Sequence, residues 1–267
     1  MPLTLTSLGS AAALPLKESY FTAHVLNVRG RLFLLDCGEG TQLRLRQLGI
    51  SLGAIDNIFL THLHGDHVFG IFGLLSSMHL LERTAPMHIF APGGFEKMLE
   101  FYFSRFVNGP SSFPVTHHLV SGDRPALLLD GPTARVYSLP LHHSVPAYGY
   151  LFREKKVRRS EARSVAYCTD TAPVADLPAW INGVDILFHE ATFLEQDKCS
   201  AEKYLHSTAA DAARCALESG AHRLVIGHFS SRYKETPAFL AEARAIFPAT
   251  EAGYEGSVFS VPRSAIT

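Results

Sequence analysis

The chain has 267 residues, 47% hydrophobic and 18% charged, which is ample apolar material for a folded core and excludes a disordered class. A formal net charge of −1 at pH 7 excludes a broadly basic nucleic-acid binder and confines any such binding to a local patch. The four cysteines, Cys37, Cys168, Cys199 and Cys215, show neither CxxC spacing nor a disulfide framework, so reduced thiols in the cytoplasm are expected and a cysteine-built zinc site is not.

In chain order, LTLTSLG, AHVLNVRG and RLFLLDCG read as strands, the last two joined as a hairpin at Arg29-Gly30. The start MPLTLTSLGSAAALPL has no basic lead before its apolar run, and no stretch is apolar for long enough to span a bilayer, so neither export nor membrane association is expected. EGTQLRLRQLG reads as a helix ending at Gly49, NIFLT as a strand, and VFGIFGLLSSMHLL as a helix packed on more than one side. MHIFAP is a strand, GFEKMLEFYFSRF an aromatic-rich helix, and Val115 to Tyr150 a run of strands broken by SGD and DGP turns. The second half repeats this order. SVAYCTD and VDILFHE read as buried strands, STAADAARCALESG as a helix capped by Ser207 or Thr208, RLVIGH as a strand and TPAFLAEARAIF as a helix. Strands lead and helices follow in each half, which predicts an α/β fold of two sheets back to back with helices outside, in one domain over residues 1–267.

The segment FLTHLHGDHVFG crowds three histidines and an aspartate into the junction between a strand and a helix. His62 and His64 leave an extended segment on the same face and can grip one ion; Asp66 and His67 follow where the chain turns and can serve a second. Mixed imidazole and carboxylate donors suit zinc, with manganese or iron as alternatives. His143, Asp170 and His228 lie at or just beyond the ends of strand-like runs, where they can complete the set, and the two oxygens of Asp170 make it the natural bridge. Packed together without a cation, these groups would repel one another or be buried unsatisfied. The remaining histidines His24, His79, His88, His117, His118 and His222 are expected on the surface or hydrogen-bonded. Two close cations would activate a water for hydroxide attack, with Asp66 as ligand and general base.

HLHGDH resembles the HxHxDH signature of the metallo-β-lactamase superfamily, which implies a four-layer αβ/βα sandwich of two mixed sheets packed face to face. More narrowly, DCGEGTQ, THLHGDH, PLHHSVPAYGY, YCTDT, FHEATF, HST and GHFSSRY resemble, in order, the motifs of the ribonuclease Z family, which trims the 3′ trailer from precursor tRNA. The resemblance selects His143 over its neighbour His142, and strand alternation agrees that only one of the two can face the metals. It implies two zinc ions per subunit and assigns Glu190 and His206 to protonation of the leaving group, the carboxylate holding the imidazole in its acid form. It also implies a homodimer acting on precursor tRNA; the alternative is a phosphodiesterase acting on other RNA ends or on small cyclic or nucleotide diesters. Asp36 is placed to brace a ligand histidine, and Thr192, Thr208, Ser230 and Ser231 to donate to a phosphate.

The chain departs from the family pattern in two places. Family members carry a long tRNA-clamping arm where this chain has only LFREKKVRRSEARSVA, residues 151–166, whose stretch Arg153 to Arg163 sets six Lys or Arg against two Glu and reads as a phosphate-contacting patch. LGSAAALP also replaces the glycine-richer LGTGSALP type.

Overall fold

Arg29 and Gly30 both adopt left-handed backbone, φ 56° and 87°, the two-residue turn that matches the twist of its flanking strands. Ala23–Val28 and Arg31–Leu35 therefore pair antiparallel, with Val28 opposite Arg31. The protein is described by a computed structural model over residues 3–14, 19–107, 109–157 and 161–263.

Among the described residues there are two seven-stranded mixed sheets. The first runs, in spatial order, Val258–Val261, Leu3–Gly9, Ala23–Val28, Arg31–Leu35, Ile55–Phe59, Met87–Pro92 and Val115–Val120. The second runs Thr250–Ala252, Leu224–Gly227, Ile186–Glu190, Ser164–Cys168, Ala147–Glu154, Ala134–Leu141 and Ala126–Asp130. Each sheet is antiparallel on one side and parallel on the other. The parallel strands are covered on both faces, which is why runs such as SVAYC are buried throughout and do not alternate.

Three apolar clusters define the layers. Leu5, Leu26, Phe33 and Phe59 of the first sheet interdigitate with Tyr150, Phe152, Tyr167 and Phe188 of the second. The outer face of the first sheet packs on the helices Thr41–Gln47, Gly70–Leu80 and Phe95–Phe106. That of the second packs on Leu177–Trp180, Ala209–Ser219 and Pro237–Ile246. The result is the expected four-layer sandwich. The helix Gly70–Leu80 differs in detail from its expectation: it buries one stripe, Ile71, Leu74, Leu75 and Met78, while Leu80 is 81% exposed.

Thr208 caps Ala209–Ser219 through a capping box with Asp211, and Gly220 ends it in left-handed backbone. This fixes Thr208 inside the fold, its hydroxyl accepting from the Asp211 amide and lying 2.8 Å from carboxylate oxygens of both Glu195 and Asp211, to one of which it donates, so it does not face a phosphate as the sequence suggests. The short elements without strong local pattern include Ala11–Ala12, Lys198–Tyr204 and Thr250–Ala252.

The strands Ala147–Glu154 and Ser164–Cys168 pair antiparallel, joined by Lys155 to Arg163. Within this basic segment Arg158 and Arg159 lie outside the described residues. Arg163 is not available to RNA: its guanidinium grips buried Glu154 in a fork, with N–O distances of 2.7 and 2.9 Å, and donates to the Val261 carbonyl at 2.8 Å. Lys155 pairs with Asp130. The patch is thus weaker than its charge sum. Arg29 and Arg263 also pair with Glu154, each at 3.4 Å, and partly compensate it when the Arg163 fork is lost, so Arg163→Met should lower the unfolding free energy by about 2 kcal/mol in urea melts. Exposed Lys156→Met should change it by less than about 0.5 kcal/mol.

Candidate metal centre

Six strand ends open on one edge of the sandwich. Asp36 follows Arg31–Leu35, His62 follows Ile55–Phe59, His143 follows Ala134–Leu141, Asp170 follows Ser164–Cys168, Glu190 ends Ile186–Glu190 and His228 follows Leu224–Gly227. Chain reversals at these ends are sharp. Asp36, Asp170 and His228, none of them glycine, sit in left-handed backbone with φ of 55–59°, a conformation held only where the surroundings over-determine it.

His62, His64, His143 and Asp170 bring one donor atom each within 4.8 Å of one another, and Asp66, His67 and His228 do the same. His62 Nε2 lies 3.0 Å from His64 Nδ1, and His143 Nε2 lies 3.3 Å from the same atom. In the second group His67 Nε2 and His228 Nε2 are 3.4 Å apart. Asp170 joins the two: its Oδ2 is 3.6 Å from His62 Nε2, while its Oδ1 is 3.2 Å from both His67 and His228. His143 reaches the cluster; His142 is exposed and pairs through its backbone with Ala172.

The outer nitrogens show what the inner ones are for. His67 Nδ1 donates to Asp36 Oδ2 at 3.0 Å, His143 Nδ1 to the Leu205 carbonyl at 3.0 Å, and His228 Nδ1 to the Thr192 hydroxyl at 2.9 Å. Thr61 donates its hydroxyl to Asp36 and so accepts from His62 Nδ1 at 3.1 Å. Each of these rings therefore turns an Nε2 lone pair inward, and lone pairs converging at such distances repel unless cations lie between them. The donor set fits divalent cations of the zinc type. Burial holds His62 and His143 neutral, with pKa values below the usual imidazole range. Burial opposes ionisation of Asp66, yet the His228 and His67 rings beside it keep its carboxyl below the usual range, a role that cations between those rings would take over. Its Oδ2 also accepts from the Ala13 amide at 2.9 Å.

DCGEG has a clear structural purpose. A Cβ on Gly70 would lie 2.0 Å from the Gly38 carbonyl oxygen, and one on Gly38 would lie 2.4 Å from that of Asp66. The two glycines let the backbones touch, with the Cys37 amide donating to the His67 carbonyl at 2.7 Å. Asp36 is thereby inserted beneath the histidines. Its carboxylate accepts from the Thr61 amide at 2.8 Å, from the Thr61 hydroxyl, from His67, and from the Tyr167 hydroxyl of the other sheet at 3.0 Å. Sequence reading missed Thr61 and Tyr167, neither of which carries a chemical signature in isolation.

Beside the cluster, fully buried Glu190 accepts from His206 Nδ1 at 2.8 Å and from the Thr171 amide at 2.6 Å. Burial lowers the affinity of His206 for its proton, but the Glu190 charge and hydrogen bond outweigh it and raise the pKa to about 9. His206 also lies within 4.8 Å of Asp170 and His228. Thr192 donates to Glu190 as well; it links this pair to His228 and is not a free phosphate donor. Ser230 and Ser231 line the cleft, about 800 Å³ in volume, over these residues.

Of the histidines set aside, His79 bonds Ser112, His117 the Ala91 carbonyl, and His88 its neighbour His118. His222 is exposed near Asp185. His24 departs from its expectation: it is fully buried with neither nitrogen hydrogen-bonded, its ring wedged between Tyr167 and Phe188. Burial there lowers its pKa to about 3 and keeps it neutral.

Likeness to known proteins gives the family. A family model described as the beta-lactamase superfamily domain matches residues 31–229, which gives the class. The chain is 35% identical to ribonuclease Z of Porphyromonas gingivalis over 93% of its length and 95% of that protein. It is 36% identical to ribonuclease Z of Cytophaga hutchinsonii over 98% and 97%. The human short-form tRNase Z superposes with a TM-score of 0.83 at 29% identity, covering 97% of this chain and 99% of that one. The chain belongs to the ribonuclease Z family of the beta-lactamase superfamily and is a metal-dependent hydrolase, an endoribonuclease. The alignment with the Cytophaga hutchinsonii protein runs over 304 positions, more than the 267 residues present here, so that relative holds segments without a counterpart in this chain.

Since Asp36 touches ligands and not the metal cluster itself, Asp36→Asn should leave a folded protein whose zinc affinity, read by chelator competition, falls roughly 10- to 100-fold.

Proposed function

We propose that the protein removes the 3′ trailer of precursor tRNA, using two zinc ions per subunit held by His62, His64, His143 and Asp170 on one side and by Asp66, His67, His228 and Asp170 on the other. Manganese or iron(II) would suit the same donors. The observation that carries this reading is the Glu190–His206 pair beside a two-part ligand set joined by Asp170. Cations bound there supply Lewis acidity, activating water and offsetting the charge of a phosphodiester. The chain supplies the rest. Asp66, ionised at neutral pH, orients the attacking water and takes its proton. His206, held by Glu190 with Nδ1–H as donor, presents Nε2 to the cleft and delivers a proton to the departing ribose 3′-oxygen, leaving a 3′-hydroxyl on the tRNA.

Supporting this substrate are the ribonuclease Z relatives, the superposition on the human tRNase Z and the named motifs. Favouring a second reading, cleavage of other RNA ends or small diesters, is the short Lys155–Arg163 connection. We further propose a single domain over residues 1–267, a homodimer, and a cytoplasmic setting. All four cysteines are free, and among the described residues no helix is long and apolar enough to cross a membrane.

Incubated with an end-labelled, 3′-extended precursor tRNA, the protein should make a single cut just after the discriminator nucleotide, abolished in Asp66→Ala. No cut, alongside Asp66-dependent hydrolysis of a small phosphodiester, would transfer the assignment to the second reading. Loss of the acid should matter only where the leaving group needs a proton: His206→Ala should slow RNA cleavage about 10²- to 10⁴-fold and spare a p-nitrophenyl diester. The raised His206 pKa means that the acid form is complete at low pH and lost as pH rises through it. Cations nearby lower it, so kcat on RNA should fall between neutrality and about pH 9, a limb missing from the p-nitrophenyl profile.

A further inference from the structure

Beyond the groups that perform the chemistry, one wall of the cleft is aromatic and cationic. Tyr204, Phe193 and Arg232 line it next to His206. The Tyr204 and Phe193 rings are nearly parallel, 13° between planes at a centroid separation of 6.4 Å. Arg232 lies 4.8 Å over the other aromatic of the pair, Phe193, and Lys203 lies 5.1 Å from the Tyr204 ring centre. Phe193 is 3% exposed and so fixed, whereas Tyr204 keeps 49% of its surface open.

The backbone aims this wall. Lys198–Tyr204 is a helix that ends on Leu205 in left-handed backbone, φ 57°, a costly conformation for a bulky residue. That reversal turns both Tyr204 and His206 toward the cleft, and the Leu205 carbonyl at its apex is the one that receives His143 Nδ1–H. The position of the tyrosine is thus tied to the cluster and to the acid together.

In-line displacement puts the attacking and leaving oxygens on opposite sides of phosphorus. With Asp66 serving the attack and His206 the departure, the ribose losing its bond to phosphorus lies at the His206 end, and its base meets the surface beside His206. An exposed ring backed by a buried ring and a guanidinium is the surface on which a nucleobase of any identity stacks. We propose that Tyr204, supported by Phe193 and Arg232, is the stacking platform for the base of the last nucleotide retained on the RNA. The assignment rests on the RNA-cleavage reading above. It makes base stacking, and not base identity, the requirement at that position.

The test uses the full-length, metal-loaded protein with a 3′-extended precursor tRNA and with the same RNA lacking only the base of the nucleotide before the cut. Wild-type kcat/KM should fall about tenfold when the base is removed. Tyr204→Ala should fall by a similar factor on the intact RNA and show no further loss on the abasic one, while Tyr204→Trp restores both the rate and the sensitivity to base removal. If Tyr204→Ala remains as sensitive to base removal as wild type, or if wild type is indifferent to it, the platform assignment is wrong although the RNA-cleavage reading stands. If wild type cuts neither RNA, the cleavage reading fails and the platform with it.

Discussion

The buried carboxylate of Asp36 is the constraint around which the rest is arranged. It is fully excluded from solvent, where an ionised group is sustained only by dense hydrogen bonding. It accepts from an amide and a hydroxyl of Thr61, from the ring of His67 and from the phenol of Tyr167. These donors come from the strand end that carries the first histidines, from the turn that follows it, and from the opposite sheet. Satisfying one buried charge therefore orients His67 directly and His62 through Thr61. Gly38 and Gly70 are required because only bare backbone permits the approach that buries it.

Strain gathers in the same place. Ala13, Asp36, Asp170, Leu205 and His228 are five of the seven non-glycine residues with positive φ among the described residues, and each lies at the cluster or its cleft. Such conformations cost on the order of 1 kcal/mol or more; at Asp36, Asp170 and His228 they reverse the chain at strand ends where the side chain itself is buried at the cluster. Local backbone preference has been overruled by the geometry of the ligand set.

This division explains what the sequence revealed. THLHGDH is conspicuous because costly side chains adjoin an apolar strand, and the order of strands and helices announced the sandwich because its cores are continuous apolar runs. Asp170 and His228 are single residues at strand ends; they were legible through the motifs around them, since no periodicity distinguishes them. Tyr167 and Thr61 were invisible, because a hydroxyl in a strand has no signature until the fold brings a carboxylate to it. Arg163 shows the opposite error: a charge run read as one phosphate-contacting patch divides once Glu154 is buried within reach. His24 could not be foreseen as a neutral core residue, since only the packing of Tyr167 and Phe188 makes it one. The two- and three-residue strands offer too few positions for a pattern to form.

The hydrogen bond from Tyr167 to Asp36 crosses from one sheet to the other, and the donors of the cluster are likewise divided: His62, His64, Asp66 and His67 belong to the first half of the sandwich, His143, Asp170 and His228 to the second. Neither half holds a complete set. A chain emerging from synthesis cannot assemble the centre until its last third has docked, because His228 arrives only then. Under the ligand assignment proposed above, completing the centre is therefore a late event of folding, since donors from both halves must meet before either cation is fully held.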